Sequence, residues 1–354
     1  MKKNKFILLI TFILALIAVY FVFNSPKGTN SNADFAINDS SNVTKIFLTD
    51  KANNKILLKK QNQGEWTVNE NHLASKEMVT TLLKTMLKLD VKSPVSKASR
   101  NNVIKRIAAI GVKVEIYQKV YRIDLWGIRL FSHEKKVKTY YVGDVTMDNM
   151  GSYMLMEDSD EPFIMYIPGF RGFLNSRYSV FEGEWRDHNV FNTPFSEIKS
   201  VKLIFPSNPE NSYEVENIGE NAFNLKSLAL GKNIDNYDTL KLLDFLSAFR
   251  NIRYEFLISD NTVHNKDSIV VTTPFHILEL TDISGKKKTL KTYHKQALEN
   301  DTLDMDGNRD TGIYDKDRLY ASFNDGKDFA LVQFYTFDNI LRPLSYFLKN
   351  KEVK

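Results

Sequence analysis

The stretch Phe170–Phe191, FRGFLNSRYSVFEGEWRDHNVF, decides how the rest of the chain is read. It lies near the middle of 354 residues, and the chain before it resembles the chain after it. It concentrates Phe170, Phe173, Tyr178, Phe181, Trp185 and Phe191 with Arg171, Arg177 and Arg186. Aromatic residues and Arg together are favoured at interfaces. We read residues 170–192 as a connector between two copies of one module. Its interface candidates are Phe170, Arg171, Phe173, Arg177, Trp185 and Arg186. They are expected to pack the copies against each other, or to offer a surface to a partner, or both.

Before the connector lies a first module, residues 43–169. Lys45–Leu48 and Lys55–Leu58 read as short strands, and Gly64–Val68 as a third entered through a Gly turn. Ser75 is a candidate N-cap for a helix carrying Met78, Val79, Leu82, Leu83, Met86, Leu87 and Leu89 at helical spacing. Pro94 is a stop signal. Ile104, Ile107, Ala108 and Ile110 form a second helix closed by Gly111. Strands are expected over residues 112–117, 121–126, 139–142, 152–156 and 163–167.

After the connector, in residues 193–354, the order recurs. Ile198–Leu203 matches the first strand and Tyr213–Val215 the second. Ala222–Leu225 matches the third, with Phe223 in the place of Trp66. Asp235 resembles an N-cap, and Leu240, Leu242, Leu243, Leu246 and Phe249 make the helix stripe. Later strands are expected over residues 277–280, 289–293, 319–323 and 329–337. The offset between copies drifts from about 155 residues to about 166, a period of duplicated domains and not of a solenoid.

The start of the chain is of another kind. Lys2, Lys3 and Lys5 precede Phe6–Phe23, an uncharged run whose only polar residue is Thr11. As a helix it is roughly 27 Å long, close to the hydrocarbon thickness of a bilayer. A cleaved signal peptide has a shorter apolar region and ends in small residues; this run ends Tyr20-Phe21-Val22-Phe23. An uncleaved signal anchor over residues 6–23 is therefore expected. Residues 1–5 stay cytoplasmic and everything beyond Asn24 crosses the membrane. Residues 24–42, rich in Asn, Ser, Asp and Gly, read as a flexible tether. The expected fold class is α+β: a transmembrane helix, a tether, and two similar modules of mainly antiparallel sheet with helices on one face.

Composition narrows the chemistry. The 48 basic and 43 acidic residues are well mixed, so the net charge of +5 gives no footprint for nucleic acid. The absence of Cys removes disulfides, thiolate metal sites, Cys nucleophiles and a lipoprotein anchor. The six His, at 72, 133, 188, 264, 276 and 294, include no pair at helix ligand spacing. No Gly-x-Ser-x-Gly elbow occurs. Gly285–Thr289, GKKKT, lacks the upstream Gly of a phosphate loop and reads as a basic hairpin turn. Asp158, Asp160 and Glu161 sit in a turn where acidic residues are ordinary. One acidic loop is sharper: Asp304, Asp306, Asn308 and Asp310 stand at positions 1, 3, 5 and 7 of a calcium loop, with Asp315 at position 12. Arg309 occupies the sixth position, where the sharp turn wants Gly, so a solvated acidic loop competes with a calcium site. No catalytic residue and no cofactor is expected.

Gly64–Val68 followed by a Leu-rich helix resembles the signature of domain-of-unknown-function family 4340. The connector motifs Arg171–Arg177 and Glu184–Asp187, and the tail motifs Asp317–Ala321 and Asp325–Phe329, are similar to the form of that family found in Bacteroidota. The resemblance implies a membrane-anchored extracytoplasmic protein of the bacterial inner membrane, its bulk periplasmic. It also implies an auxiliary role beside an ABC-type transport or gliding-related envelope system, with no catalytic residues. The partners expected are the membrane, through residues 6–23, and an envelope or transporter protein. The alternative is a periplasmic glycan- or lipid-binding protein with a groove between its modules.

Overall fold

In the segment VTKIFLT, Val43, Ile46 and Leu48 are buried, and the last two stand two apart, the period of a strand with one covered face. The computed structural model describes residues 10–17, 20, 33–125, 127–219, 222–258, 266–297 and 313–349. The chain divides into two units, Met1–Asp187 and His188–Lys354. Each is built on a nine-stranded antiparallel sheet, so the class is α+β with few helices.

In the first unit β1 (Val43–Thr49), β2 (Lys55–Lys60), β3 (Trp66–Val68) and β4 (His72–Leu73) form a meander. Helix α1 (Lys76–Lys88) leads to β5 (Asp90–Pro94), and helix α2 (Lys97–Ile110) to β6 (Val112–Leu125). Then come β7 (Ile128–Val145), β8 (Ser152–Met156), β9 (Phe163–Tyr166) and helix α3 (Glu182–Trp185). The order across the sheet is β4-β3-β2-β1-β6-β7-β8-β9-β5.

In the second unit β10 (Asn189–Phe191) precedes β11 (Ile198–Ile204), β12 (Tyr213–Gly219), β13 (Ala222–Ser227) and β14 (Lys232–Asn233). Helix α4 (Thr239–Ser247) comes next, then β15 (Ile252–Arg253), which pairs with β10, and β16 (Phe256–Leu257). Helix α5 (Lys266–Val270) precedes β17 (His276–Asp282), β18 (Lys287–Gln296), β19 (Tyr314–Phe323) and β20 (Asp328–Gln333). Helices α6 (Phe334–Phe337) and α7 (Leu344–Phe347) end the described chain. The order is β14-β13-β12-β11-β17-β18-β19-β20-β16, which repeats the first sheet place by place.

Register carries the match to single residues. Ile46 lies opposite Leu58 and Ile116; Val201 lies opposite Val215 and Leu280. Trp66 faces Lys60 and Phe223 faces Asn217, so Phe223 stands at the place of Trp66.

The helices repeat as well. Ser75 caps α1 by accepting from the Met78 N–H, and Val79, Leu82 and Met86 are buried at spacings of three and four. Asp238 caps α4 through the N–H groups of Leu240 and Lys241, and Leu242, Phe245 and Leu246 are buried. The sequence placed that cap at Asp235. The chain stays extended three residues longer because Tyr237 bridges Leu348 and the Asp238 N–H bonds the Phe347 carbonyl at 2.7 Å.

Three further expectations are corrected. Helices were expected on one face, but α2 lies opposite α1. Tyr140 and Met154 pack into the α1 core, while Tyr141 and Leu155, one step on, pack with Val103 and Ile107 of α2. The second unit does the same: Ala330 and Val332 face α4, and Phe329 and Leu331 face α5. The two strands expected over residues 112–117 and 121–126 are one strand, Val112–Leu125, with Trp126 outside the described residues, because β7 pairs with the polar Gln118 and Lys119 as well as with their apolar neighbours. Residues 329–337 were read as a strand, which ends at Gln333 and gives way to α6. The strand β5 was not anticipated, since DVKSP shows little apolar alternation; its partner β9 supplies the pairing.

Among the described residues no helix is long and apolar enough to cross a membrane. Residues 10–17 are helical; of the expected span 6–23 the rest, Tyr20 excepted, lies outside the described residues, as do residues 24–32 of the expected tether. The remainder of that tether is corrected: Phe35 and Ile37 are buried in the first unit's core, and the Ile37 N–H bonds the Met86 carbonyl at 3.0 Å.

Candidate functional site

The stretch read as a connector is divided between the units. Leu174, Tyr178 and Trp185 are buried in the core of the first unit, and Val190 and Phe191 in that of the second. Trp185 is fully buried. Its indole N–H donates to the Ser179 carbonyl at 2.9 Å, and its own carbonyl accepts from the N–H of Ser75, the α1 cap, at 2.7 Å. Arg186 bridges Ala74, and the Asp187 N–H bonds the Leu73 carbonyl at 2.8 Å. Residues 170–187 therefore form a cap on the first unit's sheet and α1. Trp185 corrects one expectation: it is core, not surface, because so large an apolar ring is costly to leave in water.

The remaining candidates have distinct places. The Arg177 guanidinium lies 4.4 Å from the centre of the Phe170 ring and donates to Thr85 Oγ1 at 2.7 Å, so it pins the cap to α1. Gly172, at φ +140°, lets the chain double back; a side chain there would press on the Phe170 ring. Beneath the cap the hydroxyls of Tyr140 and Tyr178 lie 3.3 Å apart, and burial raises the pKa of both. Phe170, Arg171 and Phe173 stay exposed, as does the neighbouring Phe181. A charged residue thus stands among exposed aromatic rings on the surface of this cap. Arg186 is half-buried.

Of the calcium candidates, Asp304, Asp306, Asn308 and Asp310 lie outside the described residues. Asp315 is described and buried. Its carboxylate accepts from Lys295 Nζ at 2.7 Å and from the N–H groups of Asp317 and Arg318 at 2.8 and 3.0 Å. Burial raises its pKa, and these donors, Lys295 first, outweigh burial and hold it low. Among the described residues no three His, Asp or Glu side chains gather as a metal site. The GKKKT stretch lies in the hairpin joining β17 to β18, where Asp282 accepts from the Lys286 N–H at 2.9 Å.

Two features were missed. An open cleft of about 830 Å³ in the second unit is lined by Asn251, Lys316, Phe334, Tyr335, Asn339 and Arg342 among others. Tyr335 is 90% exposed there. The signal lay inside FYTF, which we read as strand interior. The second feature is a ring of aromatic contacts on the second sheet. Phe275 packs on His276 and His294, and His294 stacks on Tyr314. His276 also bonds Thr292 Oγ1 at 2.8 Å. Burial, with the charge of His294 as a lesser cause, pulls its pKa down to about 4. His276 is thus a neutral packing residue at physiological pH.

Comparison with known protein families, with curated sequences and with solved structures finds no match to this chain.

Proposed function

We propose that the chain is a membrane-anchored extracytoplasmic accessory protein, without catalysis of its own, that contacts an envelope or transporter protein. One observation carries this reading. In the helical residues 10–17 the large apolar side chains Ile10, Phe12, Ile13, Leu14, Leu16 and Ile17 are all exposed, each by between 41% and 62%. A helix apolar around its whole circumference, and covered by no other part of the described chain, suits hydrocarbon. It lies within the uncharged run 6–23 behind Lys2, Lys3 and Lys5, which orients the bulk of the chain outward.

The resemblance to family 4340 rests on the connector and tail motifs with Gly64–Val68. It supports the same reading, including the inner membrane, the periplasm and a transport or gliding-related system. Duplication of one ancestral unit accounts for the shared strand order. The partner surface proposed is the exposed part of the cap: Phe170, Arg171 and Phe173. In-cell photocrosslinking from position 173 of the full chain tests it. A specific adduct with a membrane or envelope protein is expected; no adduct beyond products within the chain refutes the accessory role.

The cleft of the second unit favours a second reading, a ligand-binding envelope protein. Its volume is in the range of small-ligand sites, and an exposed Tyr beside Lys316 and Arg342 suits an anionic or sugar-like ligand. Saturable binding of an anionic glycan that Tyr335→Ala abolishes would favour it over the accessory role.

A further inference from the structure

The strands β6 and β7 outrun the sheet to which they belong. β1 pairs with β6 only as far as Gln118, while β6 and β7 continue to pair with each other to Leu125 and Ile128. All nine residues of β7 from Ile128 to Lys136 are exposed. The result is a two-stranded arm over residues 120–133, about 20 Å long at the rise of a strand. Isolated hairpins are marginal in water, so an arm of this length has to be fastened at its root. It is: Lys45 meets Glu134 at 2.6 Å, Lys136 meets Glu115 at 3.2 Å, and Lys113 meets Glu157 at 2.7 Å.

The surface of the arm is unusual for a part that no other described element covers. Ile128, Leu130 and Phe131 are exposed by 61%, 47% and 68%. Ile123 pairs with Leu130, so their side chains share one face. Phe131 sits at φ +57°, a conformation that costs a bulky residue energy and that clusters at functional sites. The charges are mainly basic. Asp124 is taken by Arg129 and Glu134 by Lys45. Among the described residues Arg122 and Lys135 have no acidic partner. Exposed apolar side chains interleaved with uncommitted Arg and Lys match an anionic bilayer surface, with headgroups for the cations and the acyl boundary for the apolar tips.

The course of the chain brings such a surface within reach. Residues 33–42 run along the root of the arm. Asp34 is bound by Lys138 Nζ through its carbonyl at 2.7 Å, the Asp39 carbonyl by the Gln118 amide at 2.8 Å, and the Asn42 carbonyl by the Lys119 N–H at 2.8 Å. Between this root and the apolar run 6–23 stand the nine residues 24–32. Nine residues span at most about 30 Å, so an inserted run holds the root within that distance of the bilayer, and the arm is about 20 Å long.

We propose that the β6–β7 arm is a second membrane contact, laid on the anionic phospholipid headgroups of the bilayer that holds residues 6–23. This rests on the anchor reading above. The chain has no Cys, so one introduced Cys labels one site. The full chain carrying Leu130→Cys, Leu14→Cys or Ile283→Cys is labelled with an environment-sensitive fluorophore. Each is reconstituted into vesicles of phosphatidylcholine with or without phosphatidylglycerol, containing nitroxide lipids. Expected are quenching at position 14 in both, quenching at position 130 that needs phosphatidylglycerol, and none at position 283, the corresponding turn of the second unit. Arg122→Gln and Lys135→Gln should each weaken the arm's occupancy about fivefold. Quenching at 14 without quenching at 130 overturns the arm proposal and leaves the anchor standing. No quenching at 14 overturns both. Equal quenching at 130 in phosphatidylcholine alone overturns the choice of an anionic surface. Photocrosslinking from 130 to a protein, with no lipid quenching, gives the arm a protein occupant and overturns the proposal.

Discussion

β6 with β7 and β17 with β18 hold the same two places in their sheets, yet one pair runs on into an arm and the other turns at once. In the second unit the turn closes over Ile283–Lys286, with Gly285 at φ +86° and Asp282 bonding its way across. In the first unit the strands run on through residues 120–133. The places that the two units share are buried: Ile46 with Val201, Leu58 with Val215, Trp66 with Phe223. The arm, which they do not share, is exposed. Shared places specify the fold, and the unshared arm is free to serve something else.

The strongest test of that division is Trp185→Ala, which removes a fully buried ring from the first unit and should cost about 3–5 kcal/mol. All three Trp, at 66, 126 and 185, lie in the first unit, so Trp fluorescence in a urea titration reports on that unit alone. Phe347→Ala in the second unit should cost a similar amount and leave the Trp transition where it was. If both changes move one common transition, the units unfold together and the comparison between them breaks.

The next effect separates the units by pH. His276 is buried with its pKa near 4, against 6.5 when unfolded. The unfolded chain binds the proton first, so stability is full above about pH 6.5 and falls as pH drops toward 4, by up to about 3 kcal/mol. The first unit has Val112 at this register place and lacks the effect. Denaturation monitored by far-UV circular dichroism between pH 7 and 4 should show the second unit weakening first, from about pH 6.5, with the first unit following only as its ion-paired Glu115, Glu134 and Glu157 begin to protonate. His276→Val should remove the larger part of the early slope and leave the share of His294, whose pKa burial also lowers. A slope unchanged in that variant would contradict the assignment.

Smaller still is the Tyr140–Tyr178 pair. Tyr140→Phe leaves the buried Tyr178 hydroxyl without its partner and should cost about 1–3 kcal/mol. Changing both residues to Phe should cost less than the sum of the two single changes. Strict additivity would show that the hydroxyls do not act as a pair. The smallest effect expected is from replacing residues 120–133 with a short Gly-Ser turn, within about 0.5 kcal/mol by the same Trp titration. A large loss there would make the arm part of the fold.

The sequence made the meanders and main helices legible because Ile46, Leu48, Leu82 and Met86 keep the periods of strand and helix. It also placed Phe223 against Trp66 correctly. It hid β5, whose pairing comes from β9 and not from its own pattern. It hid α2's position on the opposite face, because Tyr140 and Tyr141 are both apolar enough to be core and only the sheet assigns their sides. Among the candidates, local composition flagged the aromatic and Arg content of the cap but could not separate buried Trp185 from exposed Phe173. That depends on Ser75 and Ser179, the first 110 residues away in sequence. The arm was split at Gln118–Val120 because polar residues there look like a break when the partner strand is not in view.

The most direct test of the anchored accessory role is alkaline extraction of membranes from cells making the full chain or a chain lacking residues 1–32. The full chain is expected to stay in the membrane pellet, and the shortened chain to be released with both unfolding transitions intact. Release of the full chain at high pH would contradict the anchor, because an apolar helix held in hydrocarbon does not leave with the surface charges.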